Sequence, residues 1–348
     1  ENFMLYRLRL KKYANAVSLR HGLALTLCLA FLPQISVSDE IVARLSYHWP
    51  VKHQSAKHAV SFAEEVNKRA AGKLRIDLFP GGQLYGIREQ LDAITDGSIE
   101  IGGVVSIVSF PPINRNYNIA VFPSMFNGYE QQRAFFETTD AGKGIMDDLM
   151  KKADFQILMY NPVGPLITAS AKSKMDTVAS FEGLKARALF KMERPRWAAL
   201  GANTVSLSTG EVYQALQTGM IDTLNTVPVG LSDAQSWREY LKYAQLPYQG
   251  YVDAYLVVKS SWFEKLPRDL QNILIEVGQE IGDKATSQVM GSAQKNIDSF
   301  VEYGGEITTL SGESAAEFDE LMAQEVVPKL TEFIDADVMK AAKEFTAQ

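Results

Sequence analysis

Residues 73–105 read KLRIDLFPGGQLYGIREQLDAITDGSIEIGGVV, and this stretch decides the fold class. It opens on KLRIDLF, whose alternation with period two predicts a strand that ends at the turn PGG. The apolar positions Leu91 and Ile94 predict a helix that stops at Gly97, and the run IEIGGVV predicts a buried strand. Strands that alternate with helices indicate an α/β architecture with largely parallel sheets.

The same order recurs in residues 203–227, which read NTVSLSTGEVYQALQTGMIDTLNTV. TVSLS predicts a strand, EVYQALQTG predicts a helix that ends at Gly219, and IDTLNTV predicts the next strand. Upstream, ARLSYHW predicts a strand over residues 43–49, and apolar spacing predicts a helix over residues 56–70. Two similar strand–helix–strand units suggest two similar lobes, although a shared pattern of helix stops gives the same likeness.

A long helix is predicted to begin near Pro267 and to end before the pair Gly304-Gly305. Apolar residues between these points keep three- and four-residue spacing. At a rise of 1.5 Å per residue this helix would span ~50 Å, so we expect it to pack on both lobes and tie them together. The alternative is two helices broken near Gly278 or Gly282.

The first 38 residues have the order of a secretory signal peptide. Basic residues precede an uncharged run over residues 22–38, and Ser36 and Ser38 stand before a cleavage site at Asp39. An uncleaved anchor or an N-terminal helix is the alternative, although a membrane span needs ~20 apolar residues and this run is shorter. The single cysteine, Cys28, lies in this run, so a disulfide framework is excluded and a periplasmic location is expected.

Length and charge narrow the class of protein further. The chain has 348 residues, of which 46% are hydrophobic, and this favours two domains with proper cores. Its formal net charge is −6, and no block of like charges is long enough to suggest a nucleic-acid groove. Without residues 1–38 the acidic excess grows, which makes nucleic acid and anionic membrane surfaces unexpected partners.

Motifs of catalysis are missing from the sequence. GxGxxG, a P-loop and a GxSxG elbow are all absent, and no histidine lies downstream to complete a serine triad. Ser208 and Glu211 form a capping-box pattern, so Glu211 is expected to hold backbone amides. His53 and His58 would lie ~140° apart around a helix and suit no shared metal site. We therefore expect no enzyme activity, no cofactor and no metal.

Arg187 is the candidate for binding an anionic ligand. In FEGLKARALF the residues after Gly183 predict a strand with Lys185 and Arg187 on one face. A guanidinium at the mouth of an apolar sheet can bind a carboxylate through two parallel hydrogen bonds, but surface strands often carry arginine, so the pattern alone is weak. His48 is a second candidate because it stands at a strand end, where α/β folds present ligand contacts; a packed histidine is the alternative.

Four stretches together resemble the solute-binding proteins of tripartite ATP-independent periplasmic (TRAP) transporters, of the dicarboxylate-binding (DctP) type. They read AGKLRIDLFPGGQLYGIREQLDAITDGSIEI, FEGLKARA, LGANTVSLSTGEVYQALQTGMID and WFEKLPRDLQ. Their order and spacing are those of the family over nearly all of residues 40–310. The resemblance implies a Venus-flytrap fold: two α/β lobes, hinge strands, a long helix supporting both lobes, and a ligand cleft between them.

The resemblance also implies lobe boundaries. We expect lobe I to comprise residues 39–163 and 252–291, and lobe II to comprise residues 164–251 and 292–348.

In the family the arginine of the GLKxR motif pairs with the substrate carboxylate, and Arg187 holds that position here. His48 corresponds to the end of the first strand, which lines the family's cleft. Asn225 and Thr226 correspond to a further cleft-lining segment.

Departures from the family pattern bear on the ligand. Residues 163–168 read VGPLIT and lack the second arginine of many members, and Val105 stands where sialic-acid binders carry an acid. The usual DGxEN reads DTLNT, which shifts the amide. Unpaired burial of a second carboxylate or of hydroxyl groups would cost about 1–3 kcal/mol for each group. The sequence therefore predicts a monocarboxylate with an apolar or aromatic body, and Tyr47 and Trp49 are either its stacking partners or core residues.

The resemblance finally implies partners. A small organic acid closes the two lobes around itself, and the closed complex delivers it to the integral-membrane permease subunits of a TRAP transporter. The alternative is a ligand-sensing protein that uses the same clamp to signal through a membrane receptor.

Overall fold

A computed structural model of the chain describes residues 40–347, which form two α/β lobes, each built around one sheet. The predicted signal peptide, residues 1–38, lies outside the described residues. The strands are β1 Ile41–Tyr47, β2 Leu74–Phe79, β3 Ile101–Val105, β4 Phe155–Pro165, β5 Ile167–Ser170, β6 Lys185–Arg187, β7 Asn203–Val205, β8 Thr223–Thr226, β9 Tyr243–Leu246, β10 Tyr251–Lys259 and β11 Glu306–Thr309.

The α-helices lie mainly between these strands and pack on the two sheets. They are α1 Gln54–Ala70, α2 Gln90–Thr95, α3 Ser106–Ser109, α4 Tyr129–Thr138, α5 Asp140–Lys152, α6 Glu193–Ala199, α7 Val212–Gln217, α8 Ser260–Phe263, α9 Arg268–Glu302, α10 Gly312–Leu321, α11 Val327–Thr331 and α12 Ala336–Thr346. The first predicted strand–helix–strand unit is β2, α2 and β3, and the second is β7, α7 and β8. The predicted α/β fold class is confirmed.

The sheets are mixed rather than largely parallel. Lobe I carries the five-stranded sheet β2-β1-β3-β10-β4, and lobe II carries the six-stranded sheet β11-β9-β5-β8-β6-β7. The neighbours of β1, and those of β6, run parallel to them, as the alternating pattern predicted. Strand β10 runs antiparallel to β3 and β4, and β5 runs antiparallel to β8 and β9. The chain enters β5 and β10 directly from the other lobe, without a crossover helix to reverse it, so these strands run against their neighbours.

Two crossing segments that connect the lobes are hydrogen-bonded to each other. The first joins β4 to β5 at residues 165–167, and the second joins β9 to β10 at residues 246–251. The Leu166 amide donates to Gly250 O over 2.8 Å, and the Gln249 amide donates to Leu166 O over 2.8 Å. Gly164 precedes the first crossing with a φ of +153°, and a Cβ there would lie 2.9 Å from the Cβ of Val227. A side chain at this position would therefore push lobe II away from the crossing segment.

Helix α9 is one uninterrupted helix of 35 residues, so the alternative of two broken helices does not apply. Gly278 and Gly282 do not break it; they let it approach β4. A Cβ on Gly278 would lie 1.9 Å from Leu158 O, and one on Gly282 would lie 2.9 Å from Tyr160 O. The helix buries apolar residues from Leu270 to Phe300 along its length, and it contacts both β4 and β11. Within residues 40–347 no helix is both long enough and apolar enough to cross a bilayer.

The C-terminal helix differs from the predicted division into lobes. Residues 292–348 were assigned to lobe II, yet α12 packs on α4 and α5 of lobe I. Asp335, at the start of α12, accepts a hydrogen bond from Asn116 Nδ2 over 2.8 Å and pairs with Arg115. Met339 and Ala342 join the lobe I core. The chain thus returns to lobe I because α12 has an apolar face that the α4–α5 surface buries.

Buried Asp253 stands in β10, beside the second crossing segment, with 1% of its surface exposed. Its carboxylate accepts hydrogen bonds from Ser106 Oγ, from Tyr117 Oη over 3.2 Å and from Gln132 Nε2 over 3.3 Å. Burial raises the pKa of Asp253 to about 6, although the hydrogen bonds that its carboxylate accepts act to lower it.

We expect Asp253→Asn to change the pH dependence of stability. An acid whose pKa is raised in the folded state stabilises the protein below its unfolded pKa, and this stabilisation is lost as the pH rises through about 6. The free energy of unfolding of the native chain should therefore fall relative to that of Asp253→Asn between pH 4 and 7, by on the order of 2 kcal/mol. Urea denaturation at each pH measures it. Asp319→Asn, at an exposed site, is the control, and a flat difference for Asp253→Asn would contradict the expectation.

Candidate functional site

Arg187 ends strand β6 at the edge of the lobe II sheet that faces lobe I. Its backbone pairs with Val205 in β7 and Leu224 in β8. The side chain is 3% exposed; Nε donates to Leu207 O over 3.2 Å and Nη2 donates to Thr209 Oγ1 over 3.1 Å. These two contacts fix the guanidinium plane.

The guanidinium of Arg187 has no ion-pair partner among residues 40–347. Burial lowers its pKa to about 10, and the charge of Glu193 acts in the opposite direction. A buried cation without a carboxylate partner is costly, and a carboxylate that binds it through two hydrogen bonds relieves that cost. Arg187 therefore carries a buried positive charge that an anion could neutralise.

Glu193 is near Arg187 but is engaged with the backbone. Its Oε2 accepts hydrogen bonds from the Leu189 amide over 2.6 Å and the Phe190 amide over 3.3 Å. Burial raises the pKa of Glu193, while the charge of Arg187 acts to lower it. This carboxylate holds the segment that follows β6 and forms no ion pair with Arg187.

His48 follows β1 in lobe I and lies within electrostatic range of Arg187 in lobe II. Burial lowers its pKa to about 3, and the charges of His53 and Arg187 contribute to this shift. Its Nδ1 is buried and has no hydrogen-bond partner in the part of the chain that the structure describes. At neutral pH His48 is thus an uncharged imidazole whose ring can exchange a hydrogen bond with a ligand.

Tyr47 and Trp49 flank His48 and are buried in lobe I, each with 1% of its surface exposed. A Cβ on Gly103 of β3 would lie 2.6 Å from the Trp49 ring and 2.9 Å from Tyr47 Cβ, so both pack against that glycine. Val105 ends the same strand and is 4% exposed. All three side chains belong to the buried apolar core of lobe I, and Tyr47 and Trp49 are next to His48 in the chain.

Asn225 and Thr226 end β8, next to the strand that carries Arg187. Asn225 Oδ1 accepts from Thr168 Oγ1 over 2.8 Å and from Arg196 Nη1 over 3.4 Å. Thr226 Oγ1 donates to Val227 O over 3.4 Å. Both side chains are buried, and Asn225 belongs to a network that links β5, β8 and α6.

Arg196 is a second, half-buried cation near this site that the sequence did not indicate. It lies on α6, donates from Nη2 to Thr168 Oγ1 over 3.1 Å, and has no hydrogen-bond partner at Nε among the described residues. Burial lowers its pKa to about 10. The family pattern places a second arginine in the segment before β5, and VGPLIT has none there. The tertiary fold brings Arg196 of α6 to Thr168 of β5. In the sequence, the three-residue spacing between Glu193 and Arg196 was the one signal that could have pointed to Arg196.

His53 and His58 have structural roles. His53 caps α1 by accepting a hydrogen bond from the Ser55 amide over 3.1 Å, and His58 Nδ1 lies 2.8 Å from Asn161 Oδ1. The predicted capping box of Ser208 and Glu211 is also present. No group of three or more His, Cys, Asp or Glu side chains that could hold a metal occurs within residues 40–347.

A cavity of about 190 Å³ lies beside the second crossing segment, away from Arg187. It is lined by residues 120–127 of lobe I and by Tyr248, Gln249 and Tyr251. Gln249 donates from Nε2 to Thr168 Oγ1 over 2.8 Å, so the cavity borders the Asn225–Arg196 network. The predicted site residues do not line it.

The chain matches a known family over most of its length. The profile described as bacterial extracellular solute-binding protein, family 7 (DctP), matches residues 45–332. The C4-dicarboxylate-binding periplasmic protein DctP of Rhodobacter capsulatus is 27% identical over 90% of this chain and 93% of its own length.

Two solved structures share the fold. A TRAP periplasmic solute binding protein from Desulfovibrio salexigens, with bound orotic acid, covers 88% of this chain and 99% of its own at a TM-score of 0.77 and 21% identity. One from Sulfurospirillum deleyianum, with bound succinate, covers the same shares at a TM-score of 0.79 and 22% identity. Since the family profile covers both lobes, this chain belongs to family 7 of the bacterial extracellular solute-binding proteins, the DctP family that its motifs resemble.

Proposed function

We propose that this protein captures a small organic acid in the periplasm by pairing its carboxylate with Arg187 and closing its two lobes around it. The observation that carries the proposal is the buried Arg187 guanidinium without an ion pair among residues 40–347, held in plane by Leu207 and Thr209. His48 of lobe I lies within electrostatic range of the same guanidinium, and we propose that it lines the opposite side of the cleft. A carboxylate on Arg187 would therefore touch both lobes, which favours the closed state over the open one.

The proposed ligand is a monocarboxylate with an apolar or aromatic body. Tyr47, Trp49 and Val105 are the apolar residues proposed for the lobe I side, and burial lowers the pKa of His48 to about 3, so His48 adds no second cation near neutral pH. Arg196 already donates to Thr168 and Asn225. We propose that these two contacts hold Arg196 and that Asn225 and Thr226 form the floor of the cleft.

The ligands of relatives cover both classes of acid. The Desulfovibrio salexigens protein holds orotic acid, which has one carboxylate on a ring, and the Sulfurospirillum deleyianum protein holds succinate, which has two. The Rhodobacter capsulatus relative is named for C4-dicarboxylates. A comparison of monocarboxylate binding with dicarboxylate binding is therefore the decisive test of the proposed ligand class.

Isothermal titration of the ligand-free protein with orotate, benzoate and succinate tests the ligand class. We expect at least one of the two ring monocarboxylates to bind about tenfold or more tightly than succinate, because the apolar side chains proposed for lobe I would not offset the desolvation of a second carboxylate. Tighter binding of succinate would refute the monocarboxylate. The carboxylate–arginine pair would be refuted if none of the three acids bound and if the compound that co-purifies with the protein had no carboxylate.

The proposed partner of the closed complex is an integral-membrane TRAP permease. The named relative is a periplasmic binding protein, and family membership makes delivery to such a permease the proposed role. Binding of the loaded protein to permease-containing vesicles, compared with the unloaded protein, tests this step.

A further inference from the structure

Arg88 crosses from lobe I to lobe II. It lies between β2 and α2, and its exposed side chain donates from Nη2 to Leu189 O over 3.1 Å and to Ser206 Oγ over 3.4 Å. Leu189 follows β6 and Ser206 follows β7, so both acceptors belong to lobe II. The contact exists only while the lobes are closed on each other.

The two acceptors of Arg88 flank Arg187. Leu189 stands two residues after Arg187, and Ser206 directly precedes Leu207, whose carbonyl accepts from Arg187 Nε. Two guanidinium groups thus approach the end of β7 from opposite lobes. Burial is the main cause of the lowered pKa of Arg187, and the charge of Glu193 opposes it. The charge of Arg88 lowers this pKa further, so the two guanidinium groups are close enough to repel each other.

Glu193 and Glu211 act electrostatically on Arg187, but no acid in the described part of the chain forms an ion pair with either arginine. Neither Arg88 nor Arg187 forms an ion pair within residues 40–347. Both charges contribute to the lowered pKa of Glu211, after its hydrogen bonds to Ser208, but Glu211 Oε2 is occupied by the Ser208 amide over 2.7 Å and Ser208 Oγ over 2.6 Å. Closure therefore brings two like charges together beside the site proposed for an anion.

We infer that Arg88 couples closure of the lobes to the negative charge of the ligand, because a carboxylate held by Arg187 neutralises the repulsion between the two guanidinium groups and attracts Arg88 across the cleft. The inference rests on the proposed function, since it requires the carboxylate to bind at Arg187. Arg88 then acts as a specificity residue: neutral compounds of the same shape would fill the cleft without favouring closure.

The variant Arg88→Gln tests the inference with whichever of orotate and succinate the native protein binds more tightly. We expect affinity to fall about tenfold, mainly through faster dissociation in stopped-flow measurements, because the lost contact forms only in the closed state. Arg88→Lys keeps the charge and should restore affinity to within about threefold of the native value.

Lobe closure is read separately by electron–electron distance measurements between spin labels. Residues 40–347 contain no cysteine, so Ser61→Cys on α1 and Gln217→Cys on α7, both exposed, give one label in each lobe. At saturating ligand we expect a smaller fraction of molecules to show the short, closed-state distance in Arg88→Gln than in the protein with native Arg88.

Lys52→Gln is the matched control. Lys52 of lobe I also contacts lobe II, with its Nζ 3.6 Å from the carboxylate of Asp233, and both side chains are exposed. It should change affinity by less than about twofold. Native binding and closure in Arg88→Gln, with binding lost in Arg187→Ala, would overturn the inference alone. Native binding in Arg187→Ala would overturn the proposed function. Failure of Arg88→Lys to restore affinity would also overturn coupling through charge.

Discussion

Replacing Arg187 by alanine is expected to weaken binding of the organic acid roughly 30-fold to several-thousand-fold, which corresponds to about 2–5 kcal/mol. The large effect follows from burial. The ligand carboxylate would lose a desolvated, two-hydrogen-bond partner and would stay buried without a counter-charge. Isothermal titration with the tightest of orotate, benzoate and succinate measures the loss. Binding within about threefold of the native protein would contradict the role of Arg187.

Two further variants separate geometry from charge and from folding. Arg187→Lys keeps the charge but loses the planar fork that binds both carboxylate oxygens, so it should recover only a small part of the affinity. Arg238→Ala removes another lobe II guanidinium, one that lies 4.5 Å from the centre of the Tyr303 ring and donates to Ser299. Its binding should stay native, and thermal unfolding of all three variants checks that each one folds.

Gly278→Ala is expected to destabilise the protein by about 2–3 kcal/mol, although alanine favours helix formation over glycine by about 1 kcal/mol. The added Cβ would lie 1.9 Å from Leu158 O and 2.7 Å from Leu158 C, and these are backbone atoms of β4. Helix α9 and β4 must therefore move apart, which loosens the contact between the long helix and the strand that leads to lobe II. The midpoint of urea denaturation measures the change.

Gly291→Ala in the same helix is the matched control. Gly291 is exposed, and a Cβ there would meet no atom within 4 Å. Here only the helix preference acts, so stability should rise by about 0.5–1 kcal/mol. If Gly278→Ala were as stable as Gly291→Ala, the close approach of α9 to β4 would be wrong.

Much of the fold could be predicted because its signals are local. Period-two and period-3.6 patterns, with Gly97 and Gly219 as helix stops, placed β2, α2 and β3 and their counterparts β7, α7 and β8. The glycines of α9 were harder. In a sequence, Gly278 has the same form whether it breaks a helix or lets a helix approach a strand, and only the position of Leu158 distinguishes the two.

The site divides in the same way. The motif GLKAR, through the resemblance to the family, made Arg187 a candidate from a few adjacent residues, and the strand end before His48 made that residue a second candidate. Arg196 and Arg88 were not, because each acts on residues far away in the chain, at Thr168 and at Leu189. The amino-acid sequence by itself thus determined the elements, their order and the family, since these depend on neighbours within a few residues. The tertiary structure alone decided three other features: which of the described cations lack an ion pair, which lobe α12 packs on, and which charges lie close together between the lobes. These contacts depend on long-range packing, which no local pattern encodes.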